Sequence, residues 1–432
     1  MLEQKIYDVI GVGFGPANLA LAISLEEEGF DGDVLFIERK SGCLWQDQML
    51  ISGADIQNNP LRDLVTPRNP RSRYSFTNFL FENDRLYEHL NLGLEFPLRR
   101  EFAQYVAWVA SFFNDKVQYN AEVIGMSLNK QTQLYTIDLS NGQTYHTRSL
   151  VVAPGRTPRI PQVFEAGSAD KVFHLTKFRK NVTALAEQGR TKRFAVIGGS
   201  QSAIEIMLQL REEFPEAEIH NFQRGYSFRQ KDTSQFSEHI YFPSFVDYYY
   251  DSTPEAKKRI NRHLHYTNYS AADDDVIKEL YVKMYDDKLQ GKQKVFIHGF
   301  SEVRQLVETG SKCQLQVEEF NTHTQSTIED VDCVILATGF KDLGADENSE
   351  LCPGLLNDIY PNIKTNEQGV IQIARNYQLN AKANVTMPPL FLNGLCESSH
   401  GYGDAGSFSL LALRAAEISS GLLSQLKAVE AA

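Results

Sequence analysis

Short apolar runs that end in small residues recur along this chain, and each opens a stretch where apolar positions return every three or four residues. The first is Tyr7-Asp8-Val9-Ile10, running into Gly11-Val12-Gly13-Phe14-Gly15-Pro16-Ala17. It reads as a strand, a glycine-rich turn and a helix from Asn18 through Leu25. Val34-Leu35-Phe36-Ile37 follows as a second strand. Helical spacing returns over residues 76–80 and 100–113, and strand-like patterns over 123–128, 135–139 and 149–152. Between these lies a polar, proline-broken stretch at 57–70, expected to be a loop lining a site. A second unit repeats the first at Phe194-Ala195-Val196-Ile197-Gly198-Gly199-Ser200-Gln201-Ser202-Ala203, with a helix through 210 and a partner strand Glu218–Phe222. Residues 236–287 change character, dense in tyrosine and phenylalanine and then helical. Strands return at 294–298, 314–318, 332–336 and 389–394, and a last helix is expected over 407–423. Strand–turn–helix units in this order predict an α/β chain with two dinucleotide-type domains and a small helical insertion.

Composition narrows the chemistry. The 432 residues are 42% hydrophobic and 23% charged, with a formal net charge of -12. An acidic chain of that balance is a poor match for nucleic acid or an anionic membrane surface, and favours small-molecule work. No run reaches the roughly 20 apolar residues of a membrane span, so cytoplasm is the expected location. Cys43, Cys313, Cys333, Cys352 and Cys396 include no Cys-x-x-Cys pair. That predicts reduced packing thiols and excludes a disulfide-reductase flavoprotein, which needs two neighbouring thiols.

Both turns suit a pyrophosphate. Gly11 lets the first turn bend, Gly13 lets backbone N–H groups approach phosphate, and the helix beyond Gly15 and Pro16 directs its positive end there. Glu38, closing the second strand, is placed to accept hydrogen bonds from a ribose. In the second unit Gly198, Ser200, Gln201 and Ser202 form the turn, but the partner strand ends in Gln223-Arg224, with Arg229 and Lys231 beyond. Arginine at that place suits the extra phosphate of NADPH. The acidic triplet Asp273-Asp274-Asp275 is read as a charge run at a helix start.

The order of motifs resembles the flavin-dependent N-hydroxylating monooxygenases that act on ornithine or lysine in siderophore biosynthesis. The resemblance spans nearly the whole chain. It rests on Gly11–Asn18, on Leu61-Arg62-Asp63-Leu64-Val65 with Asn69-Pro70 and Tyr74-Ser75-Phe76, on Gly198–Ala203, on Thr267-Asn268-Tyr269-Ser270, on Leu336–Phe340 and on Ser399-His400-Gly401. It implies two Rossmann-like domains, one for FAD (1–165 and 336–432) and one for NADPH (166–235 and 291–335), a helical substrate insertion at 236–290, and a homotetramer. It also implies attack of a primary amine on a C4a-hydroperoxyflavin made with NADPH and O2.

By the same resemblance, Gln57 stands beside the reactive flavin edge and Asn268 meets both the nicotinamide ribose and the substrate. Trp45, Thr338, Gly339 and His400 fall among the cofactor contacts, with His400 orienting backbone rather than moving protons. Ser409 matches a serine that closes the substrate pocket, although the loop Gly403-Asp404-Ala405-Gly406 is one residue longer than usual. Two departures concern the substrate. Arg62 replaces the family lysine that holds the carboxylate of ornithine, and Glu238 replaces a neutral asparagine that also meets that carboxylate. At about 4 Å, like charges in a surface-like dielectric repel by several kcal/mol. The expected substrate is therefore a primary amine without a carboxylate, histamine first and then putrescine or cadaverine, with L-ornithine or L-lysine as the alternative. A flavin monooxygenase acting on carbon or sulfur is a second alternative, but residues 172–178 lack the glycine of that class's Phe-x-Gly-x-x-x-His signature. A flavoprotein that only transfers electrons is a third, and it would oxidise NADPH whether or not an amine is present.

Overall fold

Runs that are buried on both faces become parallel strands, and both glycine turns hang from such strands. In the computed structural model, which describes residues 5–404 and 406–430, Val9–Val12 is buried throughout and pairs in parallel with Leu150–Val152 on one side and Val34–Ile37 on the other. Leu390–Leu392 and Val117–Gln118 complete this five-stranded sheet. The helix after the turn is Pro16–Glu27, starting earlier than expected because proline suits the first helical position, where no N–H is needed. It packs against the last helix, Leu411–Glu430, so both ends of the chain build one layer. That last helix begins later than the apolar pattern suggests. Ser407 and Ser409 bond to each other and to local backbone instead, holding the chain in a turn.

The second sheet, also five-stranded and parallel, runs Val295–His298, Glu218–Phe222, Arg193–Ile197, Cys333–Leu336, Val172–His174. Its apolar core is separate from that of the first sheet. Beside it lies a three-stranded antiparallel sheet, Ser301–Thr309, Lys312–Glu319 and Gln325–Val331, of which the sequence pattern reveals only the middle strand. Residues 236–290 include the helices Pro243–Tyr250, Pro254–His263 and Asp274–Leu289. The last of these sends Leu280 into the second nucleotide core, so this helix packs as part of that domain. Asp273 stands at its N-cap position without bonding the helix through its side chain, and Asp274 and Asp275 lie in its first turn. All five cysteines are free thiols. Among the described residues no helix is long and apolar enough to cross a membrane.

Candidate active site

The two turns are built alike. Gly13 has φ +84°, and a Cβ there would lie 2.4 Å from the Ala153 carbonyl oxygen; Gly198 has φ +147°, and its Cβ would lie 2.4 Å from the Ala337 carbonyl oxygen. Each glycine lets the chain pass flush against the neighbouring strand, which leaves the helix start clear for a phosphate. Around the first turn, Gly15 caps the helix and a Cβ on it would meet nothing within 4 Å. Glu38 braces this turn, accepting from the Phe14 N–H at 2.8 Å and the Lys40 N–H at 2.9 Å. Asn18 donates to the Gly13 carbonyl at 2.7 Å and accepts from Asn393, which in turn accepts from Arg414. Arg414 is ion-paired with buried Asp404. Asn393 and Arg414 were not marked in the sequence, because the turn they support lies at the opposite end of the chain. Ala405, in the loop judged one residue long, lies outside the described residues.

At the second turn Ser200 is the helix cap and Gln201 and Ser202 reach the cavity described below. Gln223 packs its side chain on Gly199, and its buried Nε2 has no partner among the described residues. An unpartnered donor at a strand end beside a glycine turn suits a dinucleotide. Arg224 is exposed there. Arg159, absent from the sequence reading, stands close enough for Arg224 to disfavour its charge, second only to burial. Arg159 also donates to the Thr338 carbonyl at 2.8 Å, and the next carbonyl, Gly339, accepts from His174. Arg229 and Lys231 are engaged elsewhere. The Arg229 guanidinium stacks 4.2 Å from the Tyr266 ring centroid, and Lys231 faces Asp273.

Beside the helix that follows the second turn opens a cavity of about 1210 Å³. Trp45, Gln57 and Arg62 line it from the first domain, Gln201 and Ser202 from the second, Glu238, Tyr241, Asn268 and Asp273 from the helical region, and Ser409 from the C-terminal part. Gln57 sits at φ +52° with its amide donating to Asp273 at 2.5 Å. A carboxylate only accepts, so the Gln57 nitrogen faces Asp273 and its oxygen remains a free acceptor. Asp273 thus belongs to the site, beyond the helix-start charge expected of it. Burial, followed by the charges of Asp273 and Glu205, lifts Asp55 on the same wall to about 6. Asn268 accepts from the Tyr241 hydroxyl at 3.4 Å, and the Arg62 guanidinium lies 5.6 Å from the centre of the Tyr241 ring. Ser409 donates to Asn58 at 3.4 Å. Trp45 meets Phe408 edge to face at 5.2 Å, an apolar wall that excludes water. His400 is fully buried, stacked on Tyr377 and hydrogen-bonded to the Arg375 carbonyl, and burial lowers it to about 4. That burial favours the neutral ring. Nearby, burial and then the charge of Asp342 lift Glu397 to about 7, where it accepts from Tyr269.

Residues 5–342 match the family described as L-lysine 6-monooxygenase/L-ornithine 5-monooxygenase. An L-ornithine N(5)-monooxygenase of Pseudomonas aeruginosa is 34% identical, over 98% of this chain and 95% of its own. The ornithine N-hydroxylase of Kutzneria sp. 744, solved with reduced FAD, NADP+ and L-ornithine, superposes with a TM-score of 0.89 at 32% identity, covering 97% of this chain and 99% of that one. An L-lysine 6-monooxygenase of Pseudomonas syringae gives 0.85 at 31% identity over the same shares of the two chains. Each of these three is named for an amino acid, so they do not support the expectation of histamine or a diamine.

Proposed function

The chain belongs to the L-lysine 6-monooxygenase/L-ornithine 5-monooxygenase family and is a flavin-dependent N-hydroxylating monooxygenase; from that premise we propose that it hydroxylates the side-chain amine of L-ornithine, for siderophore assembly. FAD is assigned to the first turn and NADPH to the second. The observation that carries the substrate is Arg62, a guanidinium that lines the cavity and makes no ion pair among the described residues. It is free to take a carboxylate bidentately, in keeping with relatives named for ornithine.

When bound, the two cofactors would supply the electrons that activate O2. The chain's own residues bind, orient and exclude water. Gln57, held by Asp273, presents a fixed carbonyl oxygen on the cavity wall, and Trp45 and Phe408 keep that wall dry. An amine of pKa about 10.4 must lose its proton to react, and an apolar wall favours the neutral form.

A second reading, a carboxylate-free amine such as histamine, putrescine or cadaverine, has one observation in its favour, since Glu238 lines the same cavity. A panel of these amines with L-ornithine and L-lysine, scored for hydroxylamine formed per NADPH consumed, separates the two. L-Ornithine should show the highest kcat/KM, and Arg62→Met should lower it roughly ten- to a hundred-fold, the worth of a charge-assisted hydrogen bond. A diamine or histamine outrunning ornithine would overturn the ornithine reading in favour of the second.

Coenzyme choice gives a further expectation. Arg224→Ala should raise KM for NADPH by about ten-fold while leaving NADH nearly unchanged, because only NADPH carries the 2′-phosphate. Equal effects on both coenzymes would show that Arg224 does not meet that phosphate.

A further inference from the structure

Glu238 is placed on the cavity wall by specific local structure. It sits on the one-turn helix Ser237–Tyr241, three residues before Tyr241 and therefore on the same face. The turn is fixed by Ser237 donating to Asp232 at 2.6 Å and by the Glu238 N–H donating to the Ser234 carbonyl at 3.0 Å. Across the Tyr241 ring lies Arg62. Both charged residues line the cavity, and among the described residues neither makes an ion pair. The Tyr241 phenol responds to both charges. After burial, Glu238 is the next largest influence making it harder to ionise, and Arg62 opposes it. A half-buried carboxylate and a guanidinium on one cavity wall, with no ion pair between them, leave two opposite charges for a ligand to satisfy.

We propose that Glu238 selects substrates that carry a second cationic nitrogen, besides the nitrogen that is hydroxylated. The inference rests on the amine-hydroxylating reading above, but not on which amine is used. In L-ornithine the second nitrogen is the α-ammonium, one bond from the carbon that bears the carboxylate. Arg62 and Glu238 then divide the zwitterionic head between them, and the repulsion expected of an acid facing a carboxylate is cancelled by the ammonium beside it. In a diamine Glu238 acts alone. A monoamine or an ω-amino acid without an α-ammonium leaves Glu238 desolvated and unpaired, which costs binding.

The test uses the holoenzyme, wild type and Glu238→Gln, on two matched pairs, L-ornithine with 5-aminopentanoate and putrescine with n-butylamine. Binding is read by calorimetry, and KM and kcat from hydroxylamine formed. Wild type should favour the dicationic member of each pair by roughly ten- to a hundred-fold, mostly in KM, and Glu238→Gln should bring both ratios within about three-fold. Glu238→Asp should recover part of the preference, and flavin content of each variant checks the fold. Ratios that are unmoved by Glu238→Gln, or a wild type indifferent to the second nitrogen, would overturn the proposal. Preference for putrescine over ornithine, with both ratios still collapsing in the variant, would instead sink the ornithine reading and leave this one standing.

Discussion

Gly13→Val is expected to yield a protein that purifies without flavin. Two independent obstacles meet at this position. Its φ of +84° is a conformation that a β-branched residue adopts only under strain, and its Cβ would stand 2.4 Å from the Ala153 carbonyl. Neither side can retreat, because Val9–Val12 is paired on both edges and the Ala153 N–H is itself bonded to the Val12 carbonyl. The turn must swing outward into the space assigned to the pyrophosphate. Flavin per chain, read from the visible spectrum, should fall from about one to near zero. Gly198→Val makes the matching test on the second turn, where flavin should remain but its reduction by NADPH should be lost. Stoichiometric flavin in the Gly13 variant would show that the first turn is not the flavin cradle.

The second large effect is on stability. Arg99, at the start of a helix in the first domain, donates to both oxygens of Glu205 on the helix that follows the second turn, at 2.8 and 2.9 Å, and also to the Met49 carbonyl. Both side chains are buried. Arg99→Leu strands a carboxylate between the domains and should destabilise the protein by about 3–5 kcal/mol. Adding Glu205→Leu should recover most of that loss, since two apolar groups leave no buried charge. The measurement is denaturant unfolding of the single and double variants. A double variant no more stable than the single would show that the pair is worth more than the avoidance of an orphaned charge. Glu205 also accepts from Gln201, whose carbonyl oxygen takes the Asp273 N–H, so loosening this pair should disturb the wall that holds Gln57 and raise NADPH consumption without hydroxylamine.

What could be read in advance follows the physics of each element. Strands buried on both faces, such as Val9–Val12 and Cys333–Leu336, announce themselves as apolar runs beside glycine turns. Ser301–Thr309 and Gln325–Val331 do not, because much of their length is polar and exposed and a register shift between Val303 and Gln305 breaks the alternation. Local turn motifs likewise marked Gly13 and Gly198, and the family resemblance singled out Gln57, Arg62 and Glu238. Hidden were the contacts made across sequence distance. Asp273 reaches Gln57 from 216 positions away and Arg99 reaches Glu205 across 106. A carboxylate in a helix-start triplet is indistinguishable in sequence from ordinary dipole charge until the fold sets it against a glutamine.

The shared layer made by the two ends of the chain fixes the order in which the enzyme can be completed during synthesis. Every strand of the second sheet has left the ribosome once Leu336 has, whereas the first sheet still lacks Leu390–Leu392 and its helix still lacks the partner Leu411–Glu430. A nascent chain therefore carries a finished nicotinamide-type domain beside an open one whose edge strand and apolar helix face are bare. Closing the first sheet is the last pairing the chain order allows, and long-range pairing of this kind is slow and exposes a chain to aggregation. Abundant flavin during expression would then act late, by trapping the closed form, and a chain halted before Leu390 would be unable to benefit from it.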